Sequence, residues 1–211
     1  MSSVTSNLQL IKPALEDEIH QTIQDLANNF QKIDDAAELY MDFPPISGLW
    51  KKGRKIYKLN PSIGDYVGWV NIREGMAAPK WINLNSYSVG DIIVPINDNG
   101  HYYECIQSGR SGVSEPTFPV SSGQTVRDIQ GATIWEPSKN YNLNDIVIPS
   151  IDNNRFYVCT VAGLSGTSEP QWSLVDGGTV DDNMVVWTGY RIVTWQEKGV
   201  AALFRPFGKI D

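Results

Sequence analysis

The sequence predicts a mainly β protein whose body is small antiparallel β modules in tandem, led by an N-terminal α-helical arm of coiled-coil type. Three observations carry this. One unit is written twice: Trp81, Tyr87, Asp91, Pro95, Asp98, Tyr103 and Cys105 recur 54 residues later as Trp135, Tyr141, Asp145, Pro149, Asp152, Tyr157 and Cys159. With 18 Gly, 12 Pro, seven Trp and nine Tyr, the composition favours short strands and many turns over a helical bundle. Before the repeats, one stretch carries apolar residues at heptad spacing.

The arm spans residues 1–43. Met1 to Asn7 is polar, Ser-rich and unpatterned, so it is expected to be flexible unless something holds it. Leu8, Leu10 and Ile11 form a short apolar run that a partner could bind in extended form. Lys12-Pro13 suits a helix start, with Glu16, Asp17 and Glu18 near the N-terminal dipole. Ile19, Ile23, Leu26, Phe30, Ile33, Ala37 and Tyr40 then alternate in steps of four and three, a narrow seam among Gln, Asn and Asp. A helix lying on its own globule would also show a stripe. The narrowness of this one and its strongly polar flanks favour a coiled coil, and Ile, Leu and Phe at both seam positions favour three strands over two. A homotrimer is the expected assembly. Pro44-Pro45 should stop the helix.

Residues 44–80 form a basic block, with seven bases against Asp65 and Glu74, whereas the arm has eight acids against Lys12 and Lys32. Apolar and basic residues alternate from Ile46 to Lys58, and Tyr66 to Asn71 reads as another strand. Lys51, Lys52, Arg54, Lys55 and Lys58 could hold phosphate, guard a strand edge, or dock on acidic partners; the strand edge explains them most simply.

The repeats are assigned to residues 81–135 and 136–190. Each reads as three or four strands: Asp91–Val94 and Asp145–Ile148, turns at Asp98-Asn99-Gly100 and Asp152-Asn153-Asn154, then His101–Gln107 and Arg155–Val161. The match runs on through Gly109/Gly163, Glu115/Glu169, Phe118/Trp172 and Asp128/Asp182. A two-residue length change precedes the closing pairs Ile134-Trp135 and Val186-Trp187. Such identity in fixed register marks a duplication. Cys105 and Cys159 occupy one repeat position, where a small buried residue is the simplest reading. Residues 191–211, rich in apolar side chains, should add a final strand packed in the globule or on a neighbouring subunit.

The run Gly48-Leu49-Trp50, Asn60-Pro61 and Tyr66-Val67-Gly68-Trp69-Val70 resembles a segment of tail-fibre, tail-spike and head-fibre proteins of bacteriophages, especially those of Bacillus. The phrases Leu8 to Leu15 and Asn29 to Asp34 resemble the virion-attachment region of the same proteins. In that family an ending like Phe207-Gly208-Lys209-Ile210 closely follows the Gly-Trp-Val strand. Here the two repeats therefore look inserted within, or placed before, the last piece of the block. The resemblance implies a virion protein made in the host cytoplasm, anchored through Leu8, Leu10 and Ile11 to other phage structural proteins of the capsid, neck or tail.

Trp, Tyr-x-x-Gly-Asp, a turn, Tyr-x-Cys and a late Trp resemble small chitin- and cellulose-type carbohydrate-binding modules, which implies host cell-wall polysaccharide as a ligand and adhesion as the function. Where those modules present neighbouring exposed aromatics, this chain has Ser108-Gly109-Arg110-Ser111 and Ala162-Gly163-Leu164-Ser165. A glycan site would then be sought at Tyr102, His101, Arg110, Phe118 and Trp172. Against it stands the commoner role of repeated Trp and Tyr, the core of a tiny module. The rival reading is a purely structural neck, collar or capsid-vertex component.

Other classes find little support. An acidic chain without a basic stripe is a poor nucleic-acid binder. No apolar run is long enough for a membrane span, and no secretion signal is seen. Two histidines assemble neither a catalytic triad nor a metal cluster, so no enzyme, cofactor or metal is expected. Asp91, Asp145, Glu115 and Glu169 lie in duplicated turns or loops, where capping explains them more simply than glycoside hydrolysis.

Overall fold

The computed structural model describes residues 3–211, which are mainly β: many small, mostly antiparallel sheets and one helix, Ile19–Ala36. Chain contacts divide it into two compact units, one of the chain up to Pro44 with Lys55–Val70 and Pro206–Asp211, the other of Pro45–Arg54 and Asn71–Arg205.

In the first unit the N-terminal segment is held, as a small hairpin. Ser3–Val4 pairs antiparallel with Ile11–Lys12, Gln9 turns at φ 53°, and the Leu10 N–H donates to Thr5 Oγ1. Met1 and Ser2 lie outside the described residues. The hairpin is fastened by one helix side chain. Asn29 Nδ2 donates to the Ile11 carbonyl at 2.7 Å, and Asn29 Oδ1 accepts the Ile11 N–H at 2.8 Å. An amide is the side chain that can satisfy both groups of one strand residue, so Asn29 is buried for a physical reason.

Two helix boundaries differ from expectation. Pro13 does not open the helix, because Ile11–Lys12 is drawn into the hairpin and Asp17 accepts the Ala14 N–H in a separate turn. Nor does the helix reach Pro44. It ends at Ala37, which is already extended, and Leu39–Met41 pairs in parallel with Lys55–Lys58. Ala37 and Tyr40 therefore leave the seam, and the Tyr40 ring lies 5.7 Å from Tyr57 instead. The sheet runs Leu203–Lys209, Tyr66–Arg73, Lys55–Lys58, Leu39–Met41. Gly68 is required in it: a Cβ there would lie 2.1 Å from the Ile56 carbonyl.

The second unit contains both repeats, and they are nested. The innermost closes on itself: Val185–Arg191 pairs with Arg155–Val161 and Thr179–Asp182. The first repeat is not closed by Ile134-Trp135. Its last strand is Thr194–Val200, paired with His101–Gln107 and Thr125–Arg127 after the chain has made the whole second repeat. Thr133–Ile134 instead joins the second repeat's sheet beside Ile146–Ile148, and Trp135 enters its core. Leu203–Lys209 then returns to Tyr66–Arg73, so the block's last strand follows both repeats. Three strands of seven residues each, two residues apart, thus close three levels from the inside outward.

Each repeat is built on one buried latch. Trp81 Nε1 and Trp195 Nε1 both donate to Asp128 Oδ2, at 2.7 and 2.9 Å; Trp135 and Trp187 do the same to Asp182, at 2.8 and 2.9 Å. The other carboxylate oxygen accepts the N–H of Gly112 or Gly166. Two indoles need an acceptor once buried, and one carboxylate serves both while fixing the opening and closing strands in register. Around the latch pack Tyr87, Ile93, Tyr103, Cys105, Phe118 and Val193 in one copy, and Tyr141, Val147, Tyr157, Cys159, Trp172 and Val185 in the other. A third cluster of Ile146, Phe156, Val158 and Ile192, flanked by Leu84, Val113 and Ile129, joins the copies.

Candidate functional site

The helix buries the opposite face to the one an amphipathic helix usually buries. Asp25 and Asn29 are its buried residues, while Ile19, Ile23, Leu26, Phe30 and Ile33 are exposed, Ile19 by 80% and Phe30 by 68%. Asn29 is committed to the hairpin, and Asp25 accepts from Gln21 Nε2. The polar side is thereby held by hydrogen bonds within the chain, and the apolar side remains uncovered. At about 25 cal/mol per Å² of apolar surface, leaving five such side chains in water forgoes several kcal/mol. Leu8 is exposed, and Leu10 and Ile11 are half-buried within the hairpin, so the segment is folded, not extended.

The five residues considered for glycan contact do not converge. Phe118, 8% exposed, lies 4.4 Å from Tyr103 ring to ring; Trp172 stands 4.2 Å from Tyr157 in the second copy and donates to Glu169 Oε1. Phe118 is a buried core ring and Trp172 a partly buried one packed against its core, because the hydroxyl of each Tyr donates to a carbonyl of the following loop, Pro119 or Ser173, and draws that loop over its ring. His101 Nδ1 lies 2.7 Å from Glu197 Oε1. Glu197 also accepts the N–H groups of Gly123 and Gly199. Burial pushes its carboxyl upward, but these bonds outweigh that and hold it below the usual carboxylate range. His101 is thereby tied into the first repeat's closure, and Tyr102 lies beside Gly199 on the same strand pair.

Arg110 lines a cleft. It has a volume of about 400 Å³ and is bounded by Ser86, Tyr87, Ser108 to Arg110, Asp176, Gly177, Tyr190 and Arg191. Arg110 Nε donates to the Leu84 carbonyl, and its guanidinium lies 4.4 Å over the Tyr190 ring. The strand positions meet because Gly109 has no Cβ: one would sit 2.5 Å from the Arg191 carbonyl. Tyr190, Arg191 and Asp176 were not legible as site residues, since none of them belongs to a matched pair of the duplication.

The carboxylates weighed for hydrolysis are turn acceptors. Asp91 and Asp145 accept the N–H of Ser88 and Asn142, and Glu115 and Glu169 those of Ile96 and Ser150. Burial pushes the Cys105 thiol up to about 11 and raises that of Cys159, which disfavours the thiolate at neutral pH. Among the described residues no group of three or more His, Cys, Asp or Glu could hold a metal ion, and no helix is long and apolar enough to cross a membrane.

Two ion pairs tie successive levels together. Arg73 grips Asp98 in the first repeat's hairpin turn, and Arg127, 54 residues on, grips Asp152 in the second's. Each arginine holds its aspartate's carboxyl below the usual range. The next equivalent position is Asp181, where the series stops. The chain matches no family model, no curated protein and no solved structure.

Proposed function

We propose that this chain is a structural protein of a bacteriophage particle, a fibre or decoration protein that trimerises through the helix and displays its nested β modules toward the host surface. The observation that carries the assembly is the helix exposing Ile19, Ile23, Leu26, Phe30 and Ile33 while its polar side is bonded within the chain. Three copies packing these residues at four-three spacing would cover them, and three strands suit Ile, Leu and Phe in both seam positions. The phage setting rests on the likeness of Gly48 to Val70 and of the arm to fibre proteins. Anchoring falls to the N-terminal hairpin, where Leu8 is exposed. Weak contacts with wall polysaccharide, multiplied over three chains, would retain a particle at a cell.

The test of assembly is sedimentation equilibrium of the full chain at micromolar concentration. A trimer that Ile23→Asp plus Phe30→Asp converts to a folded monomer supports the reading; a wild-type monomer sinks it. A second reading, a spacer in a neck, collar or capsid vertex without glycan binding, is favoured by the burial of Phe118 in its module core and the packing of a half-buried Trp172 against the other. Binding of the intact trimer to Gram-positive cells separates the two.

A further inference from the structure

We infer that the cleft between the two repeats is a binding site for an anionic saccharide, one bearing carboxylate or phosphate groups. This rests on the adhesive reading above and gives it a place and a ligand chemistry. The first argument is divergence. The repeats share their cores almost residue for residue, yet six of the nine residues lining the cleft stand where they differ, with Tyr87, Gly109 and Gly177 the matched ones. Arg110 stands where the second repeat has Leu164, and Ser108 where it has Ala162. Asp176 stands where the first repeat has Ser122. With the closing tryptophans Trp187 and Trp195 aligned, Tyr190 and Arg191 correspond to Lys198 and Gly199. The module folds with Leu, Lys or Gly at these places, so its core does not dictate the side chains that meet here.

The second argument is chemistry. Arg110 spends Nε on the Leu84 carbonyl and lays its plane on Tyr190, which fixes the guanidinium. Among the described residues its two terminal nitrogens, and the side chain of Arg191, donate no hydrogen bond. Asp176 is the one acid in the lining. Its Oδ1 is occupied by Arg155 Nη1 at 2.6 Å and the Arg191 N–H at 2.8 Å, and with the charges of Arg155 and Arg191 both near it, cations outnumber this one acid. The cleft therefore presents two cationic forks. A planar guanidinium is matched to carboxylate and phosphate oxygens. Ser86 and Ser108 stand beside them at the lining, as hydroxyl-rich partners require, and about 400 Å³ falls within the range of small-ligand sites.

The experiment is titration calorimetry of the full-length assembly with three probes: trigalacturonate, a glycerol-phosphate oligomer and neutral maltotriose. One or both charged probes should bind saturably, maltotriose should not, and 0.5 M salt should weaken binding at least fivefold. Arg110→Leu, which installs the second repeat's own residue, and Arg191→Gln, at an exposed position, should each weaken binding tenfold or more while thermal melts show the fold retained, Arg110→Leu melting somewhat lower for want of its bond to Leu84. Which charged probe binds separates a uronate from a phosphate polymer. The assignment is overturned if neither charged probe binds, or if both variants bind like wild type. Cell binding tells the two readings apart: wild type and Arg110→Leu adhering equally leaves adhesion standing and removes the cleft. Probe binding at the cleft without adhesion to cells does the reverse.

Discussion

The two repeats have the same core and different closures. Both hold two indoles on one aspartate, both stack an aromatic ring on the central tyrosine, and both bury a cysteine. In the second repeat the chain passes from Asp182 through Asn183-Met184 straight into its last strand, whereas in the first it leaves after Asp128 and returns at Val193, whose carbonyl accepts the Asp128 N–H. Closure is thus specified by the latch and the strand register, not by proximity along the chain. Contiguity lowers the entropy of closing a loop only logarithmically, so a folded insert is tolerated.

Truncation breaks the comparison most severely. A chain ending at Val193 lacks Thr194–Val200 and should lose the first repeat entirely while the second persists. Amide exchange by NMR should show protection retained at Arg155–Val161 and lost at His101–Gln107; protection in both would refute nested closure. Next come the latch tryptophans. Trp195→Ala and Trp187→Ala should each cost about 3–5 kcal/mol in denaturant unfolding, with the first exposing only the first repeat's core. Equal loss of protection in both repeats after either change would mean that they form one cooperative unit.

A smaller effect separates the buried carboxylates by pH. Burial raises the Asp128 carboxyl, with the bonds from Trp195, Trp81 and Gly112 only partly offsetting it. Its contribution is therefore greatest below the ordinary carboxylate pKa and declines as pH rises through the folded value. Glu197 is lowered, so its contribution is present above the ordinary glutamate value and is lost as pH falls through the folded one. Glu197→Gln should accordingly be most destabilising at pH 7 and less so in acid, and Asp128→Asn should shift the other way, as thermal melts between pH 3 and 7 would show. Parallel pH profiles for the two variants would contradict this. Smallest are the surface pairs: Arg73→Ala and Arg127→Ala should each cost under about 1 kcal/mol, diminishing in salt, because both partners are a quarter or more exposed.

Much of the module was legible. Tyr87, Tyr103 and Cys105 and their counterparts announced the core, and the 54-residue register placed every one correctly. The nesting was hidden because Trp135 fits two roles, last tryptophan of one copy and first of the next. The two-residue slip and the third match, Val193-Thr194-Trp195 against Val185-Val186-Trp187, were the signals that could have resolved it. The helix itself was legible from Ile19 to Ile33, and the residues at four-three spacing lie on its exposed side. Its end was not, because parallel pairing of Leu39–Met41 is a long-range contact that heptad spacing does not encode. Phe118 and Trp172 looked like surface aromatics since a loop gives no period from which to judge burial. Only the hydroxyls of Tyr103 and Tyr157, donating to loop carbonyls, draw those rings inward.

The Asn183-Met184 turn occupies the place at which the first repeat accommodates residues 129–192. It is a two-residue connection, with Asn183 at φ 56° and Met184 exposed. A third copy spliced there would find the same Asp182 latch on one side and Val185 waiting on the other, and no outer strand would need to change partner. Only a basic residue at position 181, now Asp181, would be missing to grip the newcomer's hairpin turn. The protein can be lengthened from its centre, and a gene that gains reach by internal duplication at this turn leaves both of its ends, and whatever they attach to, untouched.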